Sequence, residues 1–257
     1  MGFLDEMRSL KEREVRGLDP ASFGERERGV YNPLRFLREA PVIAEVKPAS
    51  PTAGRIRDVD PVRQAIAYQR GGAGAVSVLV DESYFGGSWH NLKRVAHSVN
   101  LPVLCKEFIL SEKQIDAAYR CGADFVLLIY GFVEEGRLSE LAAFAKEKGL
   151  FVLLEVFDLE QLDRALKLDS WDMLGVNSRN LQDLTVDLGR AAGMLSRIPE
   201  GVFKVGESGV RSLEDARFLF DAGADALLVG EFLMRQDNPE VVLRELVHVR
   251  EDMRHQG

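Results

Sequence analysis

Cysteine is nearly absent: only Cys105 and Cys121 occur in 257 residues. Their spacing fits neither a metal site nor a disulfide framework, and it suits a reducing cytoplasm. Strand alternation turns Cys105 away from its charged neighbour Lys106 and gives it a packing role. No apolar run approaches the roughly 18 residues of a membrane span. The N-terminus, Met1 to Glu6, turns charged too early for a signal peptide. Gly2 lacks the downstream Ser or Thr of a myristoylation motif. Net positive charge is also missing: the balance is -8, which argues against binding nucleic acid or an acidic membrane. Histidine is scarce too. The four, His90, His97, His248 and His255, fall on expected helices or in the tail. Histidine acid–base chemistry and a His-ligated metal are therefore not expected.

What is present is alternation. Residues 1–40 read as a helical extension: Leu4, Met7 and Leu10 keep helical spacing, and Asp19-Pro20 ends the run. A second short helix opens at Asn32-Pro33, a cap followed by proline at the first helical position. Arg26 to Arg28 reads as a solvated charge run. Eight apolar strands then follow at Val42–Lys47, Ala75–Leu79, Val103–Glu107, Phe125–Ile129, Phe151–Val156, Met173–Asn177, Phe203–Glu207 and Ala226–Val229. Helical stretches separate them. Gly72-Ala73-Gly74, Gly122-Ala123-Asp124 and Gly223-Ala224-Asp225 repeat one device, a glycine helix stop and a tight turn into a strand. The pattern predicts one α/β domain over 1–257, a (β/α)8 TIM barrel behind a helical N-terminal extension. A doubly wound open sheet is the alternative fold, but no dinucleotide fingerprint follows the first strand.

The chemistry collects at the C-terminal ends of the strands. Glu45 and Lys47 stand two residues apart on one face of the first strand, above Ile43. Lys106 ends the third strand, Glu155 the fifth, Asn177 the sixth and Glu207 the seventh. The residue two positions earlier is apolar or small each time: Ile43, Leu104, Leu153, Gly175, Val205. These groups therefore point inward at one rim. Charges are costly inside a packed barrel, and three carboxylates with two ammoniums point to an active site. The carboxylates could hold Mg²⁺, but the lysines compete for them, so a site free of metal and cofactor is expected. Ser208-Gly209 after the seventh strand and Gly230 after the eighth lie where this fold binds phosphate through backbone N–H groups. Ser50, above Lys47, adds a hydroxyl.

Taken together, Glu45-Val46-Lys47 with Ser50-Pro51, Lys106-Glu107-Phe108, Leu154-Glu155-Val156, Asn177-Ser178-Arg179-Asn180-Leu181, Gly206-Glu207-Ser208-Gly209 and Leu228-Val229-Gly230-Glu231 resemble the indole-3-glycerol phosphate synthase family over essentially the whole chain. The resemblance implies decarboxylating ring closure and dehydration of 1-(2-carboxyphenylamino)-1-deoxyribulose 5-phosphate, a step of tryptophan biosynthesis. It also implies a cytoplasmic enzyme associated with others of that pathway. It casts Lys106 as general acid and Glu155 as general base. Lys47 becomes the partner of the substrate carboxylate and phosphate, or a second acid. Glu45, Asn177 and Glu207 become orienting groups. Ser50, Arg179, Ser208, Gly209, Gly230 and Glu231 match substrate- and phosphate-binding positions. Phe85, Phe108, Leu127 and Leu181 match the apolar walls around the anthranilate ring.

Three stretches depart from the family pattern: Thr52-Ala53-Gly54 stands where Ser-Lys-Gly is frequent, Glu107 where Asp is common, and Glu231 where Ser or Thr is usual. Any phosphate contact at Glu231 then comes from the backbone. Two other functions stay open on the residues alone, a Schiff-base aldolase using Lys106 or Lys47 and a non-catalytic barrel that binds a phosphorylated ligand.

Overall fold

A computed structural model describes residues 2–51, 54–180 and 184–254. Eight strands alternate with helices, as expected: β1 Val42–Val46, β2 Ala75–Leu79, β3 Val103–Lys106, β4 Phe125–Ile129, β5 Phe151–Val156, β6 Met173–Asn177, β7 Lys204–Glu207 and β8 Ala226–Val229. All pair in parallel in chain order, and β8 closes on β1 through Val42 opposite Leu227. The two faces of the strands hold separate cores. Ile43, Leu104, Leu127, Leu153, Val205 and Leu228 fill the inside. Their chain neighbours, such as Ala44, Cys105, Leu128 and Leu154, pack outward under the helices. Cys105 is thus fully buried, on the face expected for it.

The helices start where side chains can take up their free N–H groups. The chain runs through α1 Phe3–Gly17, α2 Pro33–Glu39, α3 Pro61–Arg70, α4 Trp89–Ala96, α5 Glu112–Arg120, α6 Glu135–Glu147, α7 Leu159–Ala165, α8 Leu188–Leu195, α9 Leu213–Asp221, α10 Glu231–Met234 and α11 Pro239–Arg254. Ser111 and Gln114 form the expected capping box at α5. Asp60, Ser88, Asp158, Asp187 and Ser212 cap their helices by side-chain acceptance.

The repeated glycines carry out one backbone manoeuvre. Gly72, Gly122 and Gly223 have φ of 88°, 92° and 99°, the left-handed turn that ends a helix. The aspartate that follows does a second task. Asp124 Oδ2 accepts from the Val103 N–H at 2.8 Å, and Asp225 Oδ2 from the Lys204 N–H at 3.0 Å. Each ties the start of its strand to the preceding one. The first copy has Gly74 instead, because a Cβ there would lie 1.9 Å from the Ala40 carbonyl oxygen. The segment after α2 occupies that space.

The N-terminal extension touches both ends of the barrel. α1 lies at the rim where the strands end, with Met7 fully buried. Burying such a side chain contributes roughly 1.5–3 kcal/mol. Residues 19–40 then pass to the opposite end. Here the expected solvated run is overturned: Arg26 Nη2 lies 2.9 Å from Asp124 Oδ1, and Arg28 Nη2 lies 3.2 Å from Asp124 Oδ2. Asp124 is fully buried. A carboxylate in that position needs cations, so both arginines fold inward while Glu27 between them stays outside. Short elements escaped the sequence pattern: a 3-10 turn at Pro20–Phe23, the helix α10, and a two-residue ribbon pairing Ala49–Ser50 with Gly54–Arg55. Thus Pro48 ends β1, but the chain resumes extended pairing outside the barrel.

Candidate active site

Glu45 sits on the inner face of β1 and is 2% exposed. Its Oε1 lies 2.8 Å from Lys47 Nζ. Ser77, directly beside it on β2, donates its hydroxyl to Oε2 at 3.3 Å. Tyr68 of α3 donates to the Glu45 carbonyl oxygen at 3.2 Å and fixes that stretch of backbone. Burial pushes the Glu45 carboxyl up, but Lys47 and then Lys106 outweigh it and hold it below the usual carboxylate range.

Lys106 does not stand alone at the end of β3. Its Nζ is 3.1 Å from Glu155 Oε2 and 2.5 Å from Glu207 Oε2. Burial works against its charge, yet Glu155, Glu207 and Glu45 together raise its pKa, so it stays an ammonium. Glu207 lies beneath, 1% exposed. Its Oε1 is buried without a hydrogen-bond partner among the described residues. Desolvation, opposed by Lys106 but reinforced by Glu155, lifts the Glu207 carboxyl well above the usual range. Lys106 and Glu155 are direct hydrogen-bonded neighbours.

These groups open into a cavity of about 300 Å³, within the size range of small-molecule sites. Glu45, Lys47, Lys106, Glu155 and Asn177 line it, while Glu207 supports them from below. Asn177 Oδ1 accepts from the Arg179 N–H at 2.8 Å, which starts the loop after β6. The Arg179 guanidinium lines the cavity and donates to the Leu184 carbonyl oxygen at 3.0 Å.

After β7, Ser208 and Gly209 have φ of 65° and 84°. Serine pays strain in that region, which is uncommon outside glycine and clusters at functional sites. Ser50, Ser208, Gly209, Gly230 and Glu231 all line the cavity. Glu231 turns its carboxylate to Arg235 at 2.8 Å, so only its backbone can serve an anion. At Gly230 a Cβ would lie 2.5 Å from Glu45 Oε1, so the glycine also leaves room for that carboxylate.

Phe85, Phe108 and Leu127 form the apolar wall. The rings of Phe85 and Phe108 are 6.1 Å apart. Leu181, expected beside them, and Thr52-Ala53 lie outside the described residues. The sequence reading missed Phe3, which reaches the cavity from α1, and the cations Arg211 and Arg235. Arg211 was within reach, two residues beyond Gly209. Arg235 stands one helical turn from Glu231. Nothing local marked Phe3, whose place depends on how α1 docks.

Comparison with known proteins agrees over almost the full length. A family model described as indole-3-glycerol phosphate synthase matches residues 8–246. Relatives of that name include one from Exiguobacterium sp., 41% identical over 96% of both chains. Another, from Listeria monocytogenes, is 41% identical over 96% of this chain and 98% of its own. A third, from Aquifex aeolicus, is 38% identical over 96% of this chain and 99% of its own. Among solved structures, the thiamine phosphate pyrophosphorylase of Pyrococcus furiosus superposes with a TM-score of 0.63 at 17% identity, over 85% of this chain and 98% of that one. That likeness shows the barrel alone. With sequence, barrel and relatives in agreement, the chain belongs to the indole-3-glycerol phosphate synthase family of enzymes.

Proposed function

We propose that this chain closes the indole ring of 1-(2-carboxyphenylamino)-1-deoxyribulose 5-phosphate, with release of CO₂ and water. The observation that carries the reading is Lys106, an ammonium held between Glu155 and Glu207 at the floor of a largely apolar cavity. Ring closure onto the ketone builds negative charge on its oxygen, and Lys106 is placed to donate a proton to it. Glu155 then takes the proton lost as the ring becomes aromatic. Lys47, held by Glu45, meets the substrate carboxylate and serves as the second acid when water leaves. Asn177 orients the substrate hydroxyls. Glu207 holds Lys106 and Glu155 at a fixed spacing.

The phosphate sits at the ends of β7 and β8, on the backbone of Ser208, Gly209 and Gly230, with Arg179 and Ser50 nearby. The anthranilate ring faces Phe85, Phe108 and Leu127. Lys106 kept charged also speaks against an aldolase, which needs a neutral amine for a Schiff base. No described helix is long and apolar enough to cross a membrane. We place the enzyme in the cytoplasm, in association with other tryptophan-pathway enzymes.

Mixing the protein with this substrate should produce indole absorbance and fluorescence. Absence of turnover by folded protein would remove the reading. A borohydride-trapped adduct would transfer it to an aldolase.

A further inference from the structure

α1 carries a buried lysine that lies outside the acid–base set at the strand ends. Lys11 is 2% exposed. Its Nζ lies 2.7 Å from Asp81 Oδ2 and 2.8 Å from Glu107 Oε1, with Glu14 of its own helix also at 2.8 Å. Burial works against the charge, but these carboxylates hold it as an ammonium. A buried ion cluster is weak support for stability, because apolar packing of the same volume serves as well. What distinguishes this one is what the two carboxylates do with their remaining bonds.

Asp81 begins the loop after β2. Its Oδ1 accepts from the Tyr84 N–H at 2.7 Å and the Phe85 N–H at 3.2 Å. Glu107 follows Lys106, and its Oε1 accepts from the Phe108 N–H at 2.9 Å. One ammonium therefore spans two carboxylates that each grip the backbone of a cavity-wall phenylalanine. Lys11 itself does not line the cavity, while Phe85 and Phe108 do. Phe3, eight residues earlier on the same helix, packs on Phe108 with ring centroids 6.1 Å apart.

We propose that Lys11 is a positioning residue that sets the aromatic wall of the site, acting through Asp81 on Phe85 and through Glu107 on Phe108. The inference rests on the synthase reading for the ligand that meets this wall. Without the ammonium nothing joins the two carboxylates, the loops after β2 and β3 separate, and the slot between the rings widens. Among the described residues no ion pair or hydrogen bond joins Lys11 to the opposite end of the cavity, after β7 and β8, which keeps its shape.

The test uses full-length protein and two competitive inhibitors of turnover, 2-aminobenzoate for the aromatic end and inorganic phosphate for the other. In Lys11→Met the inhibition constant of 2-aminobenzoate should rise by about tenfold or more, since small misplacements of positioning groups have large effects. The phosphate constant and the pH profile of kcat should stay at parent values. Equal weakening of both inhibitors would mean a general loosening and overturn the inference. So would no change in either. Should Lys11→Met not fold, the double variant Lys11→Met/Glu107→Gln, which also removes one carboxylate charge and keeps an acceptor for Phe108, is measured in the same way. A parent enzyme without turnover would sink the synthase reading and this inference with it. A parent that turns over but ignores 2-aminobenzoate would overturn the inference alone.

Discussion

Gly175 and Glu207 share one place in the barrel: a Cβ on Gly175 would lie 2.2 Å from Glu207 Oε1. β6 thus gives up a side chain so that β7 can lay a buried carboxyl across it, under Lys106. Gly175→Ala should push Glu207 away from Lys106 and cost about 1–3 kcal/mol of stability, the usual range for overpacking. At a temperature where the variant is folded, kcat should still fall by roughly 10²-fold, the lower range for a positioned acid. Thermal melting and steady-state kinetics on one preparation check both. Parent kcat in the variant would mean that Glu207 does not position Lys106.

Lys106→Met keeps the bulk of the stem and removes the acid. We expect kcat to fall by roughly 10²–10⁴. Glu207, already raised by burial, then loses the ammonium that opposed the rise, so its folded-state pKa climbs further. A carboxyl raised on folding stabilises below its unfolded pKa, and that contribution fades as pH climbs through the folded value. The variant should therefore melt closer to the parent at acid pH than at pH 8. A kcat near that of the parent would hand ring closure to Lys47.

Glu155→Gln retains shape and hydrogen bonding without the basicity. A catalytic base predicts a folded protein with kcat reduced by roughly 10²-fold or more and the acidic limb of the pH–kcat profile gone. A merely structural partner of Lys106 predicts a lower melting temperature with normal turnover and the limb intact. The second outcome would move the base to Glu45 or Glu207.

Gly230→Ala places a methyl 2.5 Å from Glu45 Oε1 and within 3.2 Å of its Cβ. The substitution should disturb the Glu45–Lys47 pair as well as the phosphate end, so kcat should drop together with a rise in KM. A rise in KM alone would restrict the role of Gly230 to phosphate.

Burial pushes the Glu107 carboxyl up to about 7, against the pull of Lys11. Its folded value exceeds the ordinary one, so its contribution to stability is present below about pH 4.5 and lost as pH rises through about 7. Glu107→Gln removes that dependence. Urea titrations between pH 5 and 8 should show the parent losing more stability over this window than the variant. Parallel curves would mean that Glu107 keeps an ordinary pKa.

Much of this was written locally. Strand period two and the apolar residues below each polar one placed Glu45, Lys47, Lys106, Glu155, Asn177 and Glu207 on one inner rim. Closing the barrel needed only their order. Glycine and cap chemistry set the turns at Gly72, Gly122 and Gly223, because these depend on neighbours a few residues away.

The tertiary structure decided what depends on partners far along the chain. Arg26 and Arg28 look solvated until Asp124, almost a hundred positions later, is buried beside them. Lys11 looks like a surface lysine of an amphipathic helix until α1 docks against Asp81 and Glu107. Lys106 looks solitary until Glu155 and Glu207 converge on it from β5 and β7. Gly175 reads as a small strand residue and Gly230 as a phosphate position, and only the closed barrel shows Glu207 and Glu45 lying against them. A charge finds its counter-charge, and a missing side chain finds the group it makes room for, only when the barrel is closed.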